Sequence, residues 1–356
     1  TASTTCEAPY ANARRFATLD HLTEGRIAWN VVTTSSAIVS KLFGTERLAH
    51  DARYDMAQEF LDLSYKLFEG SWEDDAVVMD KAARVYARPD RVHPVVHEGR
   101  HFTCHGYFNS EPSPQRTPVM VQAGASSKGR AFASRNAEIV FVQGRNAQML
   151  AEQVADLRQG AAERGRGEDA IRAISGLSVV TGASRAEADE RLEEYLSWVD
   201  ADAARAYYAM MTGGDLSKLD PSGSFSDVRT EGGRTQTERY KGVGVKDAVA
   251  DFVRRGMREL IVTGTPRDCA EEIAGIVAET GLSGFNFTPF VSPGSYVEFI
   301  DGVVPELQRI GLVRREPAGG TFRERLYGAG RRRLPDSHPA AAARIGPARP
   351  RAREAI

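Results

Sequence analysis

The sequence predicts an α/β protein whose parallel sheet is covered by helices. Three observations carry this. Segments with helical periodicity alternate with strand-like runs along the chain. The runs are short and apolar on both faces, as in strands covered from both sides. Several of them end in small or polar clusters: "NVVTTSS", "QAGASS" and "NFTPF". A (β/α)8 barrel and an open doubly wound sheet both fit the alternation. Polar clusters at strand ends suit the barrel, whose sites lie at that edge. No G-x-G-x-x-G follows a strand, which weighs against a dinucleotide-binding sheet.

The elements follow in order. Pro9 to Leu22 reads as a helix with Ala13, Phe16 and Ala17 on one face. Arg26 to Thr33 reads as a strand. Tyr54 to Glu69 repeats Phe60, Leu63, Leu67 and Phe68 at three- and four-residue steps, and Gly70 is a natural stop. Thr117 to Ala123 and Glu138 to Val142 are strands, separated by a short helix from Ser127 to Asn136. A helix from Asn146 to Arg164 leads to a strand from Ala173 to Thr181. Ser184, with Glu187 three residues on, opens a helix to about Trp198. Thr265, Pro266 and Asp268 open another that stops at Gly281. Gly284 to Phe290 is the last strand and Val303 to Ile310 the closing helix. Two long stretches, near 72–115 and 201–246, interrupt the alternation and read as lids or insertions. Residues 329–356, rich in Arg, Pro and Ala, read as a disordered tail.

Composition bounds the function. The 356 residues are 42% hydrophobic, enough for a substantial core. With 46 basic and 48 acidic residues the formal charge is -2, which suggests neither a nucleic-acid nor a membrane surface. The three scattered cysteines fit a reducing compartment. No run of about 18 apolar residues occurs, and the first residues lack a signal-peptide pattern. A soluble, cytoplasmic protein is expected.

One segment invites a metal reading. "HPVVHEGRHFTCHG" carries His93, His97, His101, Cys104 and His105. Pro94 and Gly99 break any helix that would align the histidines, and the Val, Phe, Thr and Tyr content favours a hairpin turning at Glu98-Gly99. No metal site is expected there. A different question is posed by Asn30, beside Trp29 in the apolar run Ile27 to Val32. A polar amide in a buried strand is costly unless something hydrogen-bonds it.

Four blocks together resemble one group of enzymes: "ARRFATLDHLTEGRIAWNVVTT", "HDARYDMAQEFLDLSYKLFEGSWEDDAVV", "EPSPQRTPVMVQAGASSKGRAFA" and "GFNFTPFVSPGSYVEFIDGVVPELQRIG". They are similar to the flavin-dependent monooxygenases of the nitrilotriacetate, dibenzothiophene-sulfone and long-chain-alkane type, within the bacterial luciferase-like superfamily. The likeness runs from about Thr1 to Gly328. It implies a (β/α)8 TIM barrel of the luciferase-like type, O₂, and reduced FMN supplied by a separate NADH-dependent flavin reductase. It implies oxygen transfer to a small organic substrate through a flavin C4a-peroxide, and a homo-oligomer. It also places flavin contacts at Asn30 and Thr33, at His50 and Tyr54, and at Ala123, Gly124, Ser126 and Ser127; no catalytic residue is assigned.

The residue chemistry agrees with these positions. An Asn near a strand's end can pair with a flavin heteroatom. His50 and Tyr54 lie one helical turn apart. "QAGASSKG" joins a strand to a helix, and its free N–H groups, two hydroxyls and Lys128 suit a phosphate.

The resemblance also implies an incomplete barrel. The group begins with about three strand–helix units before "TASTT", and only about five of eight barrel strands are counted here. Ile27, Val31, Val119, Val121 and Val140 are then expected to lack inner partners, leaving an aggregation-prone chain that binds FMN poorly. A non-catalytic or partner-dependent fragment is the alternative function. A related barrel using a deazaflavin for hydride transfer is a third, disfavoured by the "WNVVT" and "HDARY" blocks.

Overall fold

The computed structural model describes residues 1–34, 36–124, 126–144, 146–227 and 239–345. Its centre is a seven-stranded, all-parallel sheet. The first strand is β1 (Ala2–Ser3) and the second β2 (Ala28–Val32). Two antiparallel hairpins intervene: β3 (Val77–Asp80) with β4 (Val85–Ala87), and β5 (Pro94–Glu98) with β6 (Thr103–Tyr107). The sheet resumes with β7 (Val119–Gln122), β8 (Ile139–Phe141), β9 (Arg172–Thr181), β10 (Leu260–Gly264) and β11 (Gly284–Phe287). The order is β1-β2-β7-β8-β9, with β10 and β11 both on β9. Ile174 faces Phe141 and Gly284, and Leu177 faces Leu260 and Phe287. A residue has one lateral neighbour on each side, so β8 and β10 share one flank of β9 and β11 takes the other.

The predicted strands are all present, shortened by a residue or more at most ends. The count of five is corrected to seven: β1 and β10 were not read from the sequence. β1 has only two residues, and "LIVTG" follows an irregular stretch that hid its strand character. The fold is α/β with a parallel sheet, as expected.

The helices that matter here are α1 (Pro9–Leu22), α2 (Ala37–Leu42), α3 (His50–Gly70), α4 (Ser127–Asn136), α5 (Ala147–Ala162), α6 (Arg185–Ser197) and α7 (Ala201–Thr212). Alternation along the strands sends residues to two faces. Trp29, Val31 and Met120 pack with Phe16 of α1 and Phe60 of α3. Val140, Ala173, Leu177 and Val179 pack with Leu150 and Val154 of α5 and Ile273 of the Pro266–Thr280 helix. On the opposite face Val119, Val121 and Ile139 pack with Ala28, Phe141 and Ile174, and with Phe322 and Leu326 of the Phe322–Tyr327 helix.

Two expectations are overturned. Val31, Val119, Val121 and Val140 are all buried, and Ile27 packs against the core. The late helix packs on Val119 and Val121, and Ile27, Val31 and Val140 pack with the helices of the other face, so these side chains do not lack partners and a remnant with an open core is not favoured. The tail expectation also fails for residues 329–345. Leu334, His338 and Ala340 are buried, and Pro339–Ala343 forms a 3-10 turn packed on α3. The remaining tail residues, 346–356, lie outside the described residues.

The 72–115 stretch holds the two hairpins. The 201–246 stretch contributes α7 and part of a small core of Tyr208, Phe225, Tyr240 and Phe252, with 228–238 outside the described residues. Among the described residues no helix is long and apolar enough to cross a membrane.

Candidate functional site

All eight residues singled out in the sequence lie at or near the C-terminal edge of β2 and β7 or on the helices beside it. β2 and β7 pair with Asn30 opposite Val121 and Val31 opposite Gln122. This register sets Asn30 beside the end of β7, two residues before Ala123. Asn30 lies on the inner face, between Trp29 and Val31, which pack outward. Its Nδ2 donates to the Thr1 hydroxyl at 3.1 Å, while its Oδ1 is buried with no hydrogen-bond partner among the described residues. Thr33 follows β2 and is half-buried.

α3 starts at His50, not Tyr54, so the two residues stand one turn apart on its first turn. Their ring centroids are 5.2 Å apart at 58°. His50 Nδ1 pairs with Asp51 at 2.6 Å. The Tyr54 ring is buried, and its centroid lies 5.6 Å from that of Phe132 of α4. Its hydroxyl reaches the strand-to-helix loop after β7. A methyl group built on Gly124 would lie 2.8 Å from that hydroxyl and 2.5 Å from Gln122 Nε2; one built on Gly129 would lie 2.7 Å from the same hydroxyl. Two glycines thus let the loop and the first turn of α4 close around one phenol.

Ser126 is the N-cap of α4, its Oγ accepting from Gly129 N–H at 3.0 Å. Ser127 is the first helical residue and is exposed, as is Ala123; Gly124 is half-buried. Lys128 departs from expectation. Its ammonium pairs with Asp55 of α3 at 2.6 Å, which ties the loop's helix to α3 and raises the Lys128 pKa chiefly through that hydrogen bond. The loop's anion-binding capacity therefore rests on N–H groups and hydroxyls, in the field of a ten-residue helix.

Tyr54, Gly124 and Ser126 are thus brought to one spot with His50 beside them, and Asn30 sits one strand away. Ala125 of the loop and Ser35 after β2 lie outside the described residues. Gln122 was missed by the sequence reading. It is 4% exposed at the end of β7, and its Oε1, like Asn30 Oδ1, has no hydrogen-bond partner among the described residues. The signal was available: a polar residue closing an apolar strand, as in the run that holds Asn30. The histidine segment forms the expected hairpin, with His97 opposite Cys104. Its histidines meet carboxylates: His93 with Glu73 at 2.8 Å, His97 with Glu59 at 3.4 Å, His105 with Glu98 at 3.1 Å. Glu59 also accepts the backbone N–H groups of His101 and Phe102, which fastens the hairpin to α3.

A parallel α/β sheet with polar loops, glycines and unsatisfied amide oxygens gathered at the strands' C-terminal edge has the arrangement in which α/β enzymes carry their sites. The comparisons narrow the class. The family "Luciferase-like monooxygenase" matches residues 1–284, and the chain belongs to that family. It is 43% identical over 342 residues to the long-chain alkane monooxygenase of Geobacillus thermodenitrificans, covering 96% of this chain and 74% of that protein. It is 40% identical to the dimethyl-sulfide monooxygenase of Hyphomicrobium sulfonivorans, covering 96% and 72%. Among solved structures, a riboflavin lyase with modified FMN and substrate riboflavin superposes with a TM-score of 0.93 at 43% identity, covering 97% of this chain and 77% of that one.

Proposed function

We propose that this chain is the oxygenase of a two-component system, using reduced FMN and O₂ to oxidise a small organic substrate. Family membership and the monooxygenase relatives support the reaction class. The single observation that carries the site is the convergence of the Tyr54 hydroxyl, Gly124, Gly129 and the Ser126 cap at one strand–helix junction.

The residues present fit a flavin mononucleotide. The α4 N-terminus, with Ser126 and Ser127, would hold the phosphate; the Tyr54 hydroxyl lies against the same loop, where a β-carbon at position 124 or 129 would collide with it. Asn30 presents its unsatisfied Oδ1 to the inner face, where an N–H of the isoalloxazine satisfies it. Gln122 Oε1 is a second acceptor awaiting a donor. His50, paired with Asp51 and tilted against the Tyr54 ring, would flank the flavin. Thr33, Ala123 and Gly124, at the ends of β2 and β7, would offer backbone contacts to the flavin. When bound, reduced flavin supplies the oxygen activation, so the protein needs no nucleophile of its own; its task is orientation and exclusion of water.

An NADH-dependent flavin reductase is the proposed partner. The decisive experiment measures O₂ uptake with a flavin reductase, NADH and FMN across candidate alkanes, sulfides and aminopolycarboxylates. Substrate-dependent uptake with an oxygenated product supports the reading, and its absence with every substrate contradicts it. A second reading is favoured by the 0.93 TM-score to a riboflavin lyase. It predicts that riboflavin is itself consumed in the same assay, seen as loss of its absorbance with a new flavin-derived product.

A further inference from the structure

At the opposite edge of the sheet lies a cavity of about 490 Å³ between the loop before β9 and residues 330–337. Five arginines line it (Arg166, Arg323, Arg331, Arg332 and Arg333) against two carboxylates, Glu138 and Asp169. Four of the arginines have acidic partners. Arg323 pairs with Glu138 at 2.7 Å, Arg333 with Glu69 at 2.9 Å, Arg332 with Glu324 at 3.3 Å and Arg331 with Asp169 at 3.9 Å.

Arg166 has none among the described residues, although it is only 5% exposed. Its Nη1 donates to Ser134 O at 2.9 Å and its Nη2 to Ala137 O at 2.7 Å, while Nε has no hydrogen-bond partner. Those carbonyls close the C-terminus of α4, whose dipole offers about half a negative charge. That capping role accounts for the position of the side chain but leaves its charge under-compensated. A buried guanidinium short of a counter-charge is costly. Desolvation lowers the Arg166 pKa, and the charge of Glu138, which Arg323 already pairs, offsets it only in part.

We propose that this cavity binds a phosphate-type oxyanion, with Arg166 as the buried anchor and Arg331 and Arg332 closing over it from the solvent side. The planar, fixed donors of arginine match such an anion. The volume exceeds that of a lone phosphate, so a phosphate ester fits as well as the free ion; both share the group that is recognised.

The test is calorimetric titration of the full chain with inorganic phosphate and with glycerol 2-phosphate, at constant ionic strength set with chloride. Saturable binding is expected, tenfold or more weaker in Arg166→Gln and severalfold weaker in Arg331→Gln. Arg331 is mostly exposed, so that variant keeps the test valid if Arg166→Gln fails to fold. The Ser126→Ala/Ser127→Ala variant must retain this binding, which separates the cavity from the flavin-phosphate site. Tighter binding of the ester assigns the cavity to a phosphorylated metabolite, and equal binding assigns it to free phosphate. Absence of saturable binding in folded protein overturns the proposal. So does binding that survives both arginine substitutions and disappears in the serine variant.

Discussion

At the N-terminal edge of the sheet, Glu138 lies buried against Arg323, which also donates to the carbonyls of Thr117 and Arg332. Nearby, Glu69 collects Arg333, Arg344 and the Thr117 hydroxyl. At the C-terminal edge, by contrast, Asn30 and Gln122 each keep a buried carbonyl oxygen without a donor among the described residues, and the loop between them and α4 is built from Gly, Ala and Ser. Apart from Arg166, the first edge is dense with matched charge; the second holds acceptors in surplus. The difference teaches that burial of polar groups serves two ends here. Where partners come from the chain, as with Arg323 and Glu138, they join the late helix and tail to the sheet. Where they are withheld, the site is shaped for a ligand.

Breaking the first edge should have the largest effect. Burial works upward on the Glu138 carboxyl, but the charge and hydrogen bonds of Arg323 prevail and hold it below the usual range. Arg323→Met leaves that carboxylate uncompensated and should cost about 3–5 kcal/mol in urea unfolding. The loss should be accompanied by proteolytic release of the segment after residue 321. A stability loss below about 1 kcal/mol would show that the network does not hold the tail.

Acid should open the same edge by a second route. His338 is buried, its Nε2 hydrogen-bonded to Asn136 O and its Nδ1 accepting from Ala340 N–H. Burial, aided by the charge of Arg166, pushes its pKa down to about 4. Between the unfolded value near 6.5 and the folded value, the unfolded chain binds the extra proton. Stability is therefore full above about pH 6.5 and declines as pH falls toward 4, by about 3 kcal/mol in total. Urea titrations of wild type and His338→Gln across pH 4–7 measure this. The variant should show a shallower slope between pH 6.5 and 4; parallel curves would remove His338 from the account.

At the other edge the effects should fall on ligand, not fold. Ser126→Ala/Ser127→Ala should weaken FMN by about 1.5–3 kcal/mol per lost charge-assisted bond, and riboflavin far less. Equal losses for both flavins, read by fluorescence titration, would reduce the serines to helix caps. Loss of the Ser126 cap alone should lower stability by about 1 kcal/mol.

The contrast between edges also explains what the sequence disclosed. The strands of the sheet's centre were legible because β2, β7 and β8 are apolar runs bounded by polar clusters. The Asn30 anomaly and the "QAGASSKG" junction pointed to the C-terminal edge because site residues there are local in sequence. The N-terminal edge was illegible for the opposite reason. Arg323 meets Glu138 across 185 residues and Arg333 meets Glu69 across 264. A stretch such as "RRRLPDSHPAAAARIG" has no periodicity to betray docking, so it read as disordered. The inner-face packing of Phe322 and Leu326 was hidden likewise, and with it the reason that Val119 and Val121 are buried.

The withheld partner of Asn30 is the central claim, and one substitution tests it most directly. Asn30→Leu removes the unsatisfied Oδ1 and one hydrogen bond to Thr1. An unsatisfied buried acceptor costs about 1–3 kcal/mol and the lost bond about 0.5–1.5 kcal/mol. Thermal melting of the flavin-free variant should therefore show a Tm equal to or above that of wild type, while anaerobic titration shows reduced FMN bound at least tenfold more weakly. A lowered Tm with unchanged affinity for reduced FMN would contradict the account, placing Asn30 among the residues that hold the sheet together.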